Sequence, residues 1–428
     1  MQSGDVQDVS NENVNKHARN GEHVHSLDLP DHIGGTPVHT AESVLLYDID
    51  KMIVKTSCFT TQGRGSYPEK RKMEEYLKYG VIYLDKPRNP SSHEVVTWIK
   101  NILRVEKTGH GGTLDPKVSG VLTVYLNRGT RLSKIEQNAG KEYVCIIRID
   151  GDVNEEKFRD ALRFFEGRLI QRPPLISAVK RNVRMRSVYR NEFLELRKVE
   201  SAYYGLFKVS CEAGTYIRVL CEHIGLYLGM KAEMLELRRI RSGSIREEQC
   251  FTMHDVLDCH HILEKNSDER YIRRVVHPIE YSLRNYKRIM VKDSCVDALC
   301  SGAKLSLNGV IRFDRNINIG EKVVVITTKG EAIVLVETLV SGTEMQINEY
   351  GLIARTLRVI MEKVCIRAHG AQKNLICFER PGDDTSRRQE KDVLCCIEVA
   401  DKVVNRILEF GKIKNCSSGS LLKMLLLA

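Results

Sequence analysis

The chain has 428 residues, 42% hydrophobic and 29% charged, with a formal net charge of +10. That is long enough for two or three cored domains; no apolar run approaches the roughly 20 residues that span a bilayer, and no basic-then-apolar leader opens the sequence, so neither a membrane nor a secreted protein is expected. The 13 cysteines are scattered without a Cys-x-x-Cys pair, which argues for reduced intracellular thiols and against a structural zinc site.

In chain order, residues 1–50 hold nine acids against Lys16 and Arg19, a net −7, so the other 378 residues carry +17. A basic body suits a polyanionic partner, although charge alone leaves an ordinary basic globule equally open. Residues 1–41 are polar and aperiodic around Gly34-Gly35, the composition of a disordered acidic tail; His23 and His25 within it read as solvated. The first strong strand is Tyr79–Leu84, ended by the turn-rich Asp85–Pro90. Ser91 and Glu94 then make a capping box for a helix whose apolar face is Val95, Ile99, Ile102 and Leu103. A glycine-rich loop, Gly109–Pro116, follows. Val121–Leu126 and Tyr143–Ile149 read as buried strands, 155–165 as a short helix, Gly205–Glu212 as a strand, and Tyr216–Leu228 as a helix with Leu220, Ile224 and Leu228 on one face. A second module begins near Tyr286. There Lys322–Thr327 and Glu331–Val340 are β-rich runs joined by the turn Thr328-Lys329-Gly330. Residues 363–428 change character: Asp383–Lys391 is charged and turn-rich, Val393–Phe410 is weakly helical in period, and no site chemistry is visible.

Several residues have the right type for chemistry. Asp115 follows Lys107-Thr108-Gly109-His110-Gly111-Gly112-Thr113-Leu114. Glycines let a backbone approach a ligand, and an aspartate there suits a nucleophile or an acid–base; a plain Asp-Pro turn fits the same residues. Lys86 sits just past a strand end. Tyr143 is a strand tyrosine, suited to packing or to stacking on a base. From Arg168 to Arg190 seven cations (Arg168, Arg172, Lys180, Arg181, Arg184, Arg186 and Arg190) occur without an acid, a phosphate-binding pattern that a solvated basic face would also produce. Arg218, at a helix start, has the planar fork that orients a carboxylate. Arg238, Arg239 and Arg241 form a further basic cluster.

Taken together, LDKP with Lys86, the SSHEVV helix start, GHGGTLDP, GKEY, RPPLISAVK, GTYIR and ELRRIRSG occur in that order over about 160 residues. This series resembles the TruB-type pseudouridine synthases, and within them the dyskerin branch. The stretch from Ser43 to Lys78 resembles that branch's N-terminal extension, and Lys287–Glu362 its PUA RNA-binding domain. The resemblance covers residues 42–362. The family's Trp-Gly-Leu-Gly-Pro-Lys continuation and its lysine-rich tail are not found after Glu362.

The resemblance implies an α+β fold: a catalytic domain with a mixed, largely antiparallel sheet flanked by helices, plus a small β-barrel-like PUA domain. It divides the chain into a tail (1–41), an extension packing on the PUA domain (42–75), a catalytic domain (76–285), the PUA domain (286–362) and a divergent C-terminal tail (363–428). It implies isomerisation of uridine to pseudouridine in RNA, without cofactor or metal. Asp115, Tyr143 and Arg218 match the family's catalytic positions. Lys86, His110, Tyr216 and Leu237 match its substrate pocket. Arg172, Lys180, Arg181, Arg184, Arg186, Arg238 and Arg239 are the expected RNA-binding residues. The expected partners are a box H/ACA guide RNA, substrate rRNA and small H/ACA core proteins, with a nuclear and nucleolar setting. Two other readings stay open: a guide-independent tRNA modifier, and an inactive ribonucleoprotein scaffold.

Overall fold

The computed structural model describes residues 43–56, 65–174 and 181–363. The readings for residues 1–41, Lys180 and Val393–Phe410 lie outside them.

The first half of the chain supplies β1 (Ile53–Val54), α1 (Met73–Lys78), β2 (Gly80–Lys86), α2 (Ser92–Ile102), β3 (Thr108–His110), β4 (Ser119–Leu126), α3 (Ser133–Gln137), β5 (Lys141–Asp150), α4 (Glu155–Phe164) and β6 (Gly167–Gln171). Then come β7 (Arg184–Val199), β8 (Ala202–Cys211), α5 (Ile217–Leu228), β9 (Lys231–Ser242), β10 (Ile245–Arg246), α6 (Met253–Asn266), α7 (Arg270–Val275) and β11 (Val276–Pro278). The second module holds β12 (Lys287–Val291), α8 (Val296–Cys300), β13 (Leu305–Ser306), β14 (Val310–Phe313), β15 (Lys322–Ile326), β16 (Ala332–Thr338), α9 (Gly342–Ile347) and β17 (Leu352–Val359).

Local chemistry sets the element ends. Ser91 Oγ accepts from Glu94 N at 3.2 Å and the Glu94 carboxylate accepts from Ser91 N at 2.7 Å, the capping box expected for α2. Gly229, at φ 70°, closes α5 in the left-handed conformation. Two long strands escaped the sequence reading. β7 has 16 residues, of which only Val188 and Asn191 are buried, so its charged, two-sided pattern carries no apolar alternation. β9 has 12 residues and was legible only as a basic cluster.

The larger sheet runs β11-β2-β4-β9-β5-β8-β7-β6, with β3 on β4 and β10 on β9. It is antiparallel except where β4 meets β9, side by side in parallel over Ser119↔Arg238 and Gly120↔Arg239. That short joint holds the two halves of the sheet together. Gly120 has φ +103°, and a Cβ there would lie 2.2 Å from the Arg239 carbonyl oxygen. Gly120→Ala is therefore expected to destabilise the protein by roughly 3 kcal/mol or more, through strain at positive φ and backbone overlap; a denaturation midpoint equal to wild type would contradict it.

The smaller sheet runs β1-β14-β12-β15-β16-β17-β13. β1, from the N-terminal segment, pairs with β14 through Ile53↔Phe313 and Val54↔Arg312. One apolar cluster spans both sheets, joining Val81, Tyr83, Val121 and Tyr125 to Met290, Val324, Ile326 and Leu335. Two mostly antiparallel sheets with flanking helices make the α+β class that the resemblance implies.

Candidate active site

Each half of the large sheet has its own core. One lies under α2 and α6 and includes Leu84, Val95, Ile99, Leu122 and Val256. The other lies under α4 and α5 and includes Cys145, Ile147, Phe158, Phe207, Leu220 and Ile224. Tyr143 and Leu237 pack against both, so they mark the seam. Burial pushes the Tyr143 phenol above its ordinary pKa, with the facing Arg239 guanidinium opposing.

Asp115 comes to this seam from one half and Arg218 from the other. Arg218 Nη2 lies 2.5 Å from Asp115 Oδ2, although the two are 103 positions apart. Their side chains are 36% and 52% exposed respectively, so the pair is open to a ligand. Tyr216 precedes α5, and its backbone is held from both sides: its N–H donates to Gln171 Oε1 at 3.0 Å, and its carbonyl accepts from Gln171 Nε2 at 3.1 Å. Gln171 is buried and was not legible as functional; its value is to fix the first turn of the helix that carries Arg218.

The loop bearing Asp115 is tied down residue by residue. Arg239 Nη2 donates to Gly112 O at 3.1 Å and its Nε to Val121 O at 2.7 Å. Ser92 Oγ donates to Leu114 O and accepts from Leu114 N, both at 2.9 Å. Asn89 N donates to Pro116 O at 2.8 Å. Lys86 Nζ donates to Pro87 O at 2.8 Å, Pro116 O at 3.2 Å and Val118 O at 2.8 Å. Burial, helped by the Arg239 charge, brings the Lys86 pKa down to about 8.

These contacts correct two expectations. Lys86 was expected in the substrate pocket, but it is fully buried and all three of its recorded bonds go to backbone carbonyls. It shapes the loop and does not face a ligand. Arg239 was expected to bind RNA, but it is 2% exposed and serves as a strut beneath the glycine loop. Lys141, also buried, donates to Ala139 O at 2.7 Å and Glu136 O at 3.0 Å. Three buried cations therefore lie under the site. Each solvates its charge on carbonyl dipoles, as a buried charge must.

The remaining expected residues divide. His110, on β3, sits edge-on to His93 at 5.4 Å between ring centroids, and burial lowers its pKa. Among the described residues its buried Nδ1 meets no hydrogen-bond partner, so the imidazole keeps a polar atom free near the Asp115 loop. Arg238 is taken up by carboxylates: Asp85 at 3.0 and 2.9 Å and Glu247 at 2.7 Å. That is a correction too, because a guanidinium so neutralised is poorly placed to grip phosphate. Arg186 is partly buried and bonds Met185 O at 2.9 Å and Glu212 at 3.5 Å. Arg184 is half-buried at the start of β7. Arg172 and Arg181 are exposed, and Arg181 Nε donates to Pro173 O at 3.1 Å. Around them Arg168, Arg190, Met185 and Tyr189 are exposed too. Cations interleaved with apolar and aromatic side chains are what a single-stranded nucleic acid needs.

Comparison with known proteins gives the same arrangement a lineage. Residues 40–96 match the DKCLD (NUC011) domain, 100–217 the N-terminal domain of TruB family pseudouridylate synthases, 218–284 the C-terminal domain of tRNA pseudouridylate synthase B, and 287–360 the PUA domain. The chain is 51% identical over 323 residues to the H/ACA ribonucleoprotein complex subunit CBF5 of Emericella nidulans, covering 75% of this chain and 67% of that one. It is 49% identical over 322 residues to a putative H/ACA ribonucleoprotein complex subunit 4 of Caenorhabditis briggsae, covering 75% and 72%. Among solved structures it resembles the archaeal box H/ACA sRNP Nop10–Cbf5 complex, with a TM-score of 0.65, 43% identity and coverage of 73% and 96%. It also resembles an H/ACA RNP bound to a substrate RNA containing 2'-deoxyuridine, with a TM-score of 0.66, 41% identity and coverage of 73% and 95%. The chain therefore belongs to the TruB family of pseudouridine synthases, in the branch of the Cbf5-type subunits of H/ACA ribonucleoprotein complexes.

Proposed function

We propose that this chain is the catalytic subunit of a box H/ACA ribonucleoprotein, converting uridine in RNA to pseudouridine at positions chosen by a guide RNA. The observation that carries the reading is the Asp115–Arg218 pair at the seam of the two cores, beside Tyr143 and Leu237.

The chemistry follows from what must move. The uracil ring breaks its N1–C1′ bond and rejoins C1′ through C5, with a proton lost from C5 and one gained at N1, so one glycosidic bond is exchanged for another within one pocket. A base inside a helix cannot reach Asp115, so the target nucleotide flips out of its stack. The Asp115 carboxylate acts at the sugar, by attack at C1′ or by removing the C2′ proton. Arg218 holds that carboxylate in line through a charge-assisted bond. Tyr143 stacks on the base and assists removal of the C5 proton; Tyr216, Leu237 and His110 enclose the ring. Lys86 and Arg239 act one step back, on the backbone of the loop. Nothing in this sequence of steps needs an external electron or group donor.

The exposed cations and aromatic of β6 and β7 receive the RNA, and the β-rich module of 286–362 holds the ACA end of the guide. Small core proteins, of the kind found with the solved relatives, complete the particle. Its substrate is ribosomal RNA, its setting the nucleolus, and its role rRNA processing and ribosome biogenesis. Sequencing RNA co-purified with the native particle tests this. Reads ending shortly after an ACA are expected; a pool dominated by tRNA would favour the guide-independent alternative.

A further inference from the structure

We infer that Ser92 is a positioning residue for the reaction, acting on Asp115 through the peptide bond that precedes it. The inference rests on the reading of Asp115 as the reacting carboxylate.

α2 opens on two serines with different tasks. Ser91 is the N-cap, and its hydroxyl is engaged in the capping box with Glu94. Ser92 is therefore not needed to begin the helix. Its side chain turns into the interior, where the residue is 1% exposed, and its hydroxyl spans 22 positions of sequence to meet Leu114. There it donates to the Leu114 carbonyl and accepts from the Leu114 N–H, each at 2.9 Å. A single hydroxyl thus does the work of a two-bond strand pairing on a segment that belongs to no strand.

The carbonyl it holds is the one joined to the nitrogen of Asp115. Rotation of that peptide plane would swing the Asp115 Cα–Cβ bond directly. Leu114 is buried at 4% exposure in the core under α2, so the apolar side chain and the hydroxyl fix the same residue from two directions. The other side-chain ties bind the flanks, Arg239 at Gly112 and Lys86 at Pro116 and Val118, and the Asp115 carbonyl accepts from Val118 N at 3.0 Å. Ser92 is the side-chain tie on the peptide that leads into Asp115. It is also neutral, so removing it strands no buried charge, although it leaves the buried Leu114 N–H and C=O without their shared partner. Misplacement of a reacting group by about 1 Å costs on the order of 10²-fold in rate. Ser92→Ala should therefore act on the chemical step and not on RNA capture.

The test compares Ser92→Ala, Ser91→Ala and Asp115→Ala in the assembled particle with guide RNA. The readouts are single-turnover pseudouridine formation, substrate RNA affinity and melting temperature. Ser92→Ala is expected to slow the bound step about 10- to 100-fold, with RNA affinity within about two-fold of wild type. Ser91→Ala removes a cap and should lower the melting temperature while keeping the rate. A purely structural role for Ser92 predicts the opposite: a lower melting temperature with an unchanged rate per folded molecule, and that result overturns the inference. If Ser92→Ala does not yield folded protein, Ser92→Cys carries the test, because its longer, weaker thiol fills the space without reproducing the two 2.9 Å bonds; a wild-type rate from it is equally contradictory. Asp115→Ala separates the two levels. If it turns over normally, the reading of the site has failed, and not merely the role of Ser92.

Discussion

Asp115→Ala is expected to lower pseudouridine formation by on the order of 10³-fold or more, because the proposed mechanism assigns the step at the sugar to the Asp115 carboxylate. RNA binding and stability should survive. The Asp115 side chain is half-exposed, and its ion pair with Arg218 is open to water, so losing it costs no more than about 1 kcal/mol. The loop remains held by Lys86, Ser92 and Arg239 through its backbone, which the substitution leaves alone. Asp115→Asn should be equally inactive while keeping the shape and a hydrogen bond to Arg218, which isolates the carboxylate's charge from its volume. Rate measurements on guide-loaded particles, with filter binding of the substrate RNA in parallel, decide it. A wild-type yield from either variant contradicts the assignment of Asp115.

The second large effect lies far from the seam, between the N-terminal segment and the β-rich module. Arg71 is 3% exposed and pairs with Glu280 through two bonds, Nη1–Oε2 at 3.1 Å and Nη2–Oε1 at 2.7 Å. Glu280, 0% exposed, also accepts from Ala332 N at 3.1 Å, and Glu331 approaches Arg71 at 3.7 Å. Arg273 adds a further layer, donating to Glu69 O at 2.8 Å and Arg71 O at 2.7 Å. The network joins the segment before α1, the turn after β11 and the start of β16. Removing Glu280 takes away both Arg71 hydrogen bonds and the acceptor of Ala332 N, leaving the buried guanidinium only the 3.7 Å approach of Glu331. Glu280→Ala is therefore expected to cost about 3–5 kcal/mol, read as a lower denaturation midpoint, while the folded fraction keeps its rate at low temperature. A shift of less than about 1 kcal/mol would show the pair to be solvated.

Much of this architecture was legible in the sequence where apolar periodicity was strong. β2, β4 and β5 are nearly continuous or alternating apolar runs, and α2 carries both its capping box and its buried face. β7 was not legible, because a strand solvated along most of its length has no apolar rhythm to read. The site was legible only as an ordered series of motifs. Asp115 alone fits an ordinary turn, and nothing local says that Arg218 will stand beside it. The cations misled most. Lysine and arginine are almost never fully buried, so Lys86 and Arg239 read as ligand-facing groups and proved to be backbone struts. A signal did exist for Lys86: along β2 it alternates onto the same face as the buried Ile82 and Leu84, with Pro87 ending the strand behind it. For Ser92 the signal was the doubled serine, since one residue suffices to cap a helix.

The most direct measurement is pseudouridine mapping in a reconstituted reaction of the wild-type chain with its small core proteins and a target RNA, with and without a cognate H/ACA guide. A single modified uridine opposite the guide's pocket, appearing only when the guide is present, is the predicted result. Modification without the guide, or none under either condition, would contradict a guide-directed enzyme.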